Sequence, residues 1–245
     1  MPQIFGWQHL IYVAVSVVFA VAVLVCAKLF VKTEKAKEIV MRCAGALLFV
    51  AIFVNRMVLV FEHGQPNWMK LITDSFCSTS SYALGITLMV GKKDNNVLHF
   101  LWLIALAGGA ITTFAPNFIG QNPAFLYPPT ILGLIHHTLS AIIVIMMLMF
   151  GYLKITYKKW YCTLWGFASY FTYGAFLMCV LGFGNPFYMT APVFGGTPLT
   201  AWVIAPIYVV GYALILLTVE LVRRKLSRKQ AVVEKESSST QEQNN

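Results

Sequence analysis

Among the five cysteines and five histidines of this 245-residue chain, Cys77, His136 and His137 are the candidates for covalent chemistry. A thiol beside an imidazole is the minimal arrangement for nucleophilic acyl chemistry, because the imidazole takes the thiol proton and the thiolate attacks a carbonyl carbon. Asp74 precedes Cys77 by about one helical turn and could orient that pair. Adjacent helical residues point about 100° apart, so only one of the two histidines can face Cys77. The candidate catalytic residues are therefore Cys77, His137, His136 and Asp74.

Two alternatives compete with acyl chemistry at these residues. Two histidines and one carboxylate suggest zinc, but neither an HExxH motif nor a CxxC pair occurs in the chain. We therefore expect no metal and no other cofactor. The second alternative is a disulfide between Cys77 and Cys179, which both fall in the outer halves of predicted helices, and it would remove the nucleophile.

The composition places these residues in a membrane. The chain is 58% hydrophobic and only 11% charged, and its mean hydropathy is +0.71, whereas an ordinary soluble domain has roughly 25% charged residues. A soluble enzyme is therefore excluded. Apolar runs of about 20 residues can each cross a hydrocarbon core of about 30 Å. They predict an all-α polytopic membrane protein, a bundle of seven transmembrane helices over 8–31, 40–62, 70–91, 97–115, 130–153, 160–182 and 200–222.

The basic residues set the predicted orientation. Of the 18 Lys and Arg residues, 16 lie in or beside the first, third and fifth connections and the C-terminal tail. The positive-inside rule then predicts a multi-pass protein of the cell membrane with its N-terminus outside and its C-terminus cytoplasmic. We interpret the net charge of +9 as a topology signal and expect no nucleic-acid partner. The predicted domains are a transmembrane domain over 1–225 and a disordered cytoplasmic tail over 226–245.

The polar residues of the predicted helices fall almost entirely in the outer half of the membrane. Asp74 and Cys77 lie roughly 6 and 10 Å from the outer end of the third helix at 1.5 Å per residue. His136 and His137 lie roughly 9–11 Å from the outer end of the fifth helix. Ionisable groups at membrane depth are costly and are candidates for function. The shared depth predicts one cavity that is lined by Asp74, Cys77 and His137.

Further polar residues at this depth are candidates for substrate binding. They are Asn55, Arg56, His9 and Thr113. Arg56 could hold a phosphate, but it could equally pair with Asp74 or Glu62, or extend its charge to the interface. His9 stands at the start of the first helix and could instead be an exposed helix-end residue.

Two connections on the predicted outer side, 116–129 and 183–199, are long, uncharged and rich in Pro, Phe and Tyr. One interpretation is a pair of interfacial loops that carry an aromatic belt. The other is a lid that folds back over a lipid-accessible cavity, because irregular backbone at membrane depth needs protein or water to satisfy it. Membrane lipids are the expected partners under both interpretations.

Short motifs in a fixed order resemble the YwaF-type bacterial integral membrane proteins over about residues 5–222. The motifs are His9-Leu10, Phe76-Cys77-Ser78, Thr113-Phe114-Ala115-Pro116, His137-Thr138-Leu139 and Gly184-Asn185-Pro186-Phe187-Tyr188-Met189. That family looks related to an animal transmembrane phospholipid acyltransferase and, more distantly, to androgen-induced membrane hydrolases. The resemblance implies Cys77 as nucleophile and His137 as its partner, and it adds Asn185 and Tyr188 to the candidate substrate-binding residues. The family's Leu-Pro-Leu-His/Gln-Leu lead-in is absent.

Two classes of function stay open. The first is a lipid acyltransferase or hydrolase of the outer leaflet, in which Cys77 attacks a lipid ester, His137 acts as base and Arg56 holds a phosphate. The second is a transporter or lipid-binding protein that uses the same polar pocket without covalent chemistry. The chain shows no internal repeat of the kind that many transporters contain.

Overall fold

The computed structural model describes residues 6–116, 124–193 and 195–242 of the chain. Within these ranges the structure is all-helical and contains no strand, which confirms the all-α part of the predicted fold class. Its helices are α1 (Trp7–Phe30), α2 (Glu34–Phe61), α3 (Phe76–Val90), α4 (Asn96–Phe114), α5 (Pro128–Met149), α6 (Cys162–Cys179) and α7 (Ala201–Glu242).

Polar caps define where three of these helices begin. The side chain of Thr33 accepts a hydrogen bond from Ala36 N at 3.1 Å at the start of α2. Asn95 accepts one from Leu98 N at 3.0 Å at the start of α4. Ser75 caps α3 through Ser78 N at 3.4 Å. Each cap satisfies a backbone N–H that has no partner inside its helix.

Five of the helices in the described ranges are long and apolar enough to cross a membrane. They are α1, α2, α4, α5 and the first part of α7, Ala201–Leu226. The apolar α3 has 15 residues and is about 22 Å long at 1.5 Å per residue, and α6 has 18 residues. A multi-pass helical protein is therefore confirmed, whereas seven full crossings stay a prediction.

The helices differ from the predicted spans by more than four residues at three boundaries. α2 begins at Glu34 rather than at residue 40, because Thr33 caps it. α3 begins at Phe76 rather than at residue 70, because a 3₁₀ turn over Trp68–Leu71 and the Ser75 cap precede it. The helical backbone of α7 reaches Glu242 and so covers most of the segment 226–245 that was expected to be disordered. The division into domains at residue 225 stays a prediction.

Four helices form the centre of the bundle. α2 packs against α3 and α5, and α4 packs against the same two helices. α6 packs on α4 and α7, and α1 packs on α5. Most of the apolar surface of α1 is uncovered, with Val15, Val18 and Phe30 exposed by 62%, 69% and 78%. This is the surface expected of a helix that faces lipid.

Candidate functional site

Cys77 lies in the first turn of α3, half-buried against α4. A Cβ atom built on Gly108 of α4 would be 3.1 Å from Cys77 Sγ, so the thiol occupies space that a larger residue would fill. The first turn of a helix carries unpaired N–H groups and favours negative charge. Asp74 precedes this helix, so the expected spacing of one helical turn between Asp74 and Cys77 is not formed.

His136 and His137 are buried in α5, with ring centroids 4.3 Å apart. The Nδ1 atom of His136 lies 3.1 Å from the carbonyl oxygen of Leu132 one turn earlier. Its Nε2 atom is buried and has no hydrogen-bond partner in the part of the chain that the structure describes. A buried imidazole nitrogen without a partner has the capacity to bind a further polar group.

A pair of adjacent glycines in α4 brings α3 and α5 together. Gly108 faces Cys77, and Gly109 faces the backbone of α5, where an added Cβ would collide with the carbonyl oxygen of His137. Cys77 and the His137 backbone therefore contact consecutive residues of α4. Among the described residues, no hydrogen bond joins Cys77 to either histidine.

Buried hydroxyl groups join the central helices at the same level. Ser81 of α3 and Ser140 of α5 are hydrogen-bonded at 3.0 Å, and Ser140 donates to the carbonyl oxygen of His136 at 2.9 Å. Ser80 and Tyr170 of α6 are hydrogen-bonded at 2.7 Å. The direct contact between α3 and α5 that a shared cavity requires is therefore present. Sequence reasoning missed Tyr170, which no motif or spacing marks.

Arg56 is half-buried beside the start of α3. It donates to Ser78 Oγ at 2.5 Å and to the carbonyl oxygen of Lys70 at 3.5 Å, while its Nε atom is buried without a partner. It lines a cavity of about 430 Å³ together with Lys70 and Asp74. Within the described ranges no carboxylate oxygen lies within 4.0 Å of the guanidinium.

The two expected ion pairs of Arg56, with Asp74 and with Glu62, are therefore not formed. Glu62 instead accepts a hydrogen bond from the hydroxyl of Tyr127 at 2.5 Å. That contact joins the end of α2 to the start of α5. The guanidinium charge of Arg56 is therefore not paired with a carboxylate of the described residues.

His9 and Thr113 lie at a different helix contact, where α1 meets α4 and α5. The ring of His9 is 1% exposed and its Nε2 atom lies 3.0 Å from the carbonyl oxygen of Thr113, so the interpretation as an exposed helix end is wrong. Thr113 bonds the hydroxyl of Thr138 at 3.0 Å, and Thr138 bonds Tyr12 at 2.7 Å. These contacts fasten α1 to α4 and α5.

The remaining candidate in the second helix, Asn55, is buried and donates to the carbonyl oxygen of Pro129 at 3.4 Å. It thereby joins α2 to the first turn of α5. The Asn55 and Arg56 side chains, although adjacent in sequence, have different partners, and only Arg56 lines the 430 Å³ cavity.

Part of the second long connection folds into the bundle. Phe187 is fully buried, its ring centroid lies 5.2 Å from that of Tyr170, and its N–H donates to the carbonyl oxygen of Asp74 at 2.6 Å. Burial raises the pKa of Tyr188, and the charges that Cys77 and Asp74 carry when ionised raise it further. Residues 186–189 therefore cover the start of α3, and a lid over a lipid-accessible cavity stays a prediction.

Asn185 has a local role in this connection. Its Oδ1 atom accepts hydrogen bonds from Thr190 N at 2.9 Å and Ala191 N at 3.0 Å, which closes the loop on itself. Half of the other long connection, 116–129, lies outside the described residues, because 117–123 are not among them, so its lid interpretation stays a prediction.

The structure bears on the two alternatives to acyl chemistry, a disulfide and a metal site. The five cysteines are free, so a Cys77–Cys179 disulfide is absent. In the described part of the chain, no three His, Cys, Asp or Glu side chains are grouped so that they could hold a metal ion. The side chains around the start of α3 are those of a polar site without a disulfide.

The apolar outer faces and the buried polar contacts define a helical, multi-pass membrane protein. The family model of the TMEM164 family matches residues 4–222, which is most of the chain. The protein therefore belongs to the TMEM164 family. No curated protein and no solved structure matches it. The narrower resemblance to YwaF-type bacterial proteins stays a prediction.

Proposed function

We propose that this TMEM164-family protein cleaves the acyl ester of a membrane lipid and passes the acyl group to an acceptor. His137 or His136 takes the thiol proton of Cys77, and the thiolate attacks the ester carbonyl. A thioester forms as the ester C–O bond breaks, and the leaving alkoxide receives the proton from the imidazolium. An acceptor hydroxyl then takes the acyl group and regenerates the thiol. Water as the acceptor makes the protein a hydrolase.

The observation that supports this proposal is the contact of two consecutive glycines of α4 with the Cys77 side chain, at Gly108, and with the His137 backbone, at Gly109. The thiol also lies at a helix start, where the unpaired N–H groups favour a thiolate. Ser78 adjoins Cys77 and brings the Arg56 guanidinium to the same turn, at 2.5 Å from its hydroxyl.

A second candidate function is lipid binding or transport without covalent chemistry. The observation that favours it is the missing hydrogen bond between Cys77 and the imidazole rings in the described structure. In an apo enzyme catalytic hydrogen bonds are often long and shorten only with substrate, so both candidates fit this geometry.

An electrophilic lipid probe distinguishes the two. A glycerolipid that carries a haloacetamide in place of an acyl ester should alkylate Cys77 faster than Cys179, although Cys179 is the exposed thiol of the two. Removing the base with His137→Ala should slow the labelling of Cys77 and leave that of Cys179 unchanged. Labelling that follows exposure alone, with Cys179 first, would favour the binding or transport function.

The proposal includes seven crossings of the cell membrane, with the N-terminus outside and the C-terminus cytoplasmic. The distribution of basic residues supports it, because the connections after α2, α4 and α6 have few or none of them. Reporters fused at residue 121 and after residue 242 should report opposite sides of the membrane. A tail reporter that is active outside the cell would contradict this topology.

A further inference from the structure

A second cavity lies between α4 and α6 and begins at the end of the bundle where the connections after α3 and α5 lie. Its volume is about 330 Å³, and Cys77 is not among the residues that line it. Along α6 the lining residues extend from Tyr161 to Tyr170, which is about 14 Å at 1.5 Å per residue. The cavity is therefore a long, narrow groove that is separate from the candidate active site.

The walls of this groove are mostly apolar. Gly166 of α6 has no side chain, and a Cβ atom built there would overlap the ring of Phe100, so that ring packs directly on the α6 backbone. Val97 and Trp165, which also line the groove, are 48% and 72% exposed. A groove with such walls, open along one side of a membrane helix, is suited to a hydrocarbon chain.

Tyr170 closes one end of the groove. Its ring centroid lies 5.1 Å from that of Phe100 and 5.7 Å from that of Phe76, and its hydroxyl is bonded to Ser80 at 2.7 Å. A chain that enters at the other end, beside Tyr161, therefore stops at a fixed wall. The groove limits the length of chain that it can hold.

Lys159 lies at the open end of the groove. Its Nζ atom donates a hydrogen bond to Oδ1 of Asn96, a lining residue, at 2.6 Å. Within the described ranges no carboxylate oxygen lies within 4.0 Å of this ammonium group. An unneutralised positive charge beside an apolar groove favours a ligand with an anionic head and an apolar chain.

We propose that the groove between α4 and α6 binds a long-chain fatty acid, with its carboxylate at Lys159 and its chain directed along α6 toward Tyr170. The volume of about 330 Å³ is near the lower limit for small-ligand sites and suits one chain better than the two chains of a phospholipid. This inference goes beyond the proposed acyl chemistry and does not rest on it, since binding needs neither Cys77 nor a histidine.

Binding is tested with a photoreactive fatty acid that carries a diazirine near the end of its chain. It is crosslinked to the full chain in detergent, and the adducts are located by mass spectrometry. We expect adducts in α6 around Ser169 and Tyr170. Excess hexadecanoate should compete at least about tenfold better than hexadecanol, which has the same chain but cannot form the charge-assisted hydrogen bond.

Lys159→Gln should weaken hexadecanoate to the affinity of hexadecanol and leave hexadecanol unchanged. Glutamine can still donate to Asn96 but carries no charge. The matched control is Lys158→Gln, which removes the neighbouring exposed charge and should change neither ligand. Ser169→Phe, at an exposed position that lines the closed end, should weaken hexadecanoate more than the shorter decanoate.

Equal competition by hexadecanoate and hexadecanol would overturn the proposal, and so would a Lys159→Gln variant that binds both as the parent protein does. Adducts on the peptide that contains Cys77, with none in α6, would also overturn it, because the chain would then lie in the candidate active site. Since no turnover is measured, a failure of this inference is distinct from a failure of the acyl chemistry.

Discussion

Replacing Cys77 with alanine should abolish the lipid change that the wild-type chain produces when it is expressed in cells. The thiolate forms the bond to the acyl group, so its loss removes the pathway rather than slowing it. Lipidomics of cells that carry the wild type and the variant makes the comparison. We expect the variant to match cells that carry the empty vector.

Cys179→Ala is the matched control for this prediction, because Cys179 is a free, exposed thiol at the end of α6. It should retain the full lipid change. His137→Ala should reproduce most of the Cys77→Ala loss. If Cys77→Ala and His137→Ala both retain the lipid change, covalent catalysis is wrong. A lipid change that is lost only when Arg56 is replaced would favour binding or transport.

Gly109→Ala should destabilise the bundle and separate the two halves of the site. Its Cβ would lie 3.0 Å from both the nitrogen and the Cβ of Ala141, and closer still to the carbonyl oxygen of His137. The obstacle is backbone, so α4 and α5 must move apart. Overpacking of this kind costs about 1–3 kcal/mol. Thermal unfolding in detergent and the rate of Cys77 alkylation measure the two effects.

Gly211→Ala provides the control, since Gly211 is also a helical glycine and an added Cβ there meets no atom within 4 Å. Alanine favours a helix over glycine by about 0.8–1 kcal/mol, so this variant should be as stable as the parent or more so. Equal melting temperatures for Gly109→Ala and the parent protein would show that the α4–α5 contact is looser than described.

The sequence was sufficient to predict the all-α class, because long apolar runs are compatible with few structures other than helices. Runs near 97–115 and 130–153 correspond closely to α4 and α5, whose ends agree with the prediction within about four residues. The start of α3 was not predictable in this way. The apolar run begins at residue 70, but local hydrogen bonds form a 3₁₀ turn at Trp68–Leu71 and a cap at Ser75. The helix therefore begins at Phe76.

The depth of a residue in the membrane does not determine which neighbouring helix its side chain faces. Sequence position fixes how far His9, Arg56 and Cys77 lie along their helices, but not the direction in which each side chain points. His9 faces the end of α4 and Arg56 faces the start of α3, so these two candidate residues do not share one pocket. Rotation of each helix about its axis follows from packing, and the close approach at Gly109 sets part of it.

For the connection after α6, the sequence offered a lid and an interfacial loop as alternatives but did not predict the backbone conformation. Phe187 and Tyr188 adopt positive φ angles of 51° and 59°, which are uncommon for residues other than glycine. Burial of the Phe187 ring against Phe76 and Tyr170 holds this backbone in place. The motif Gly184-Asn185-Pro186-Phe187 marked the segment without indicating which of its side chains is buried.

The acyl-enzyme itself is the most direct measure of the proposed chemistry. Purified protein is incubated with a phospholipid that carries an isotopically labelled acyl chain, then digested and analysed by mass spectrometry. The account predicts a labelled acyl group on the peptide that contains Cys77, released by hydroxylamine as a thioester is. Product formation with no label on Cys77, or with the label on another residue, would contradict it.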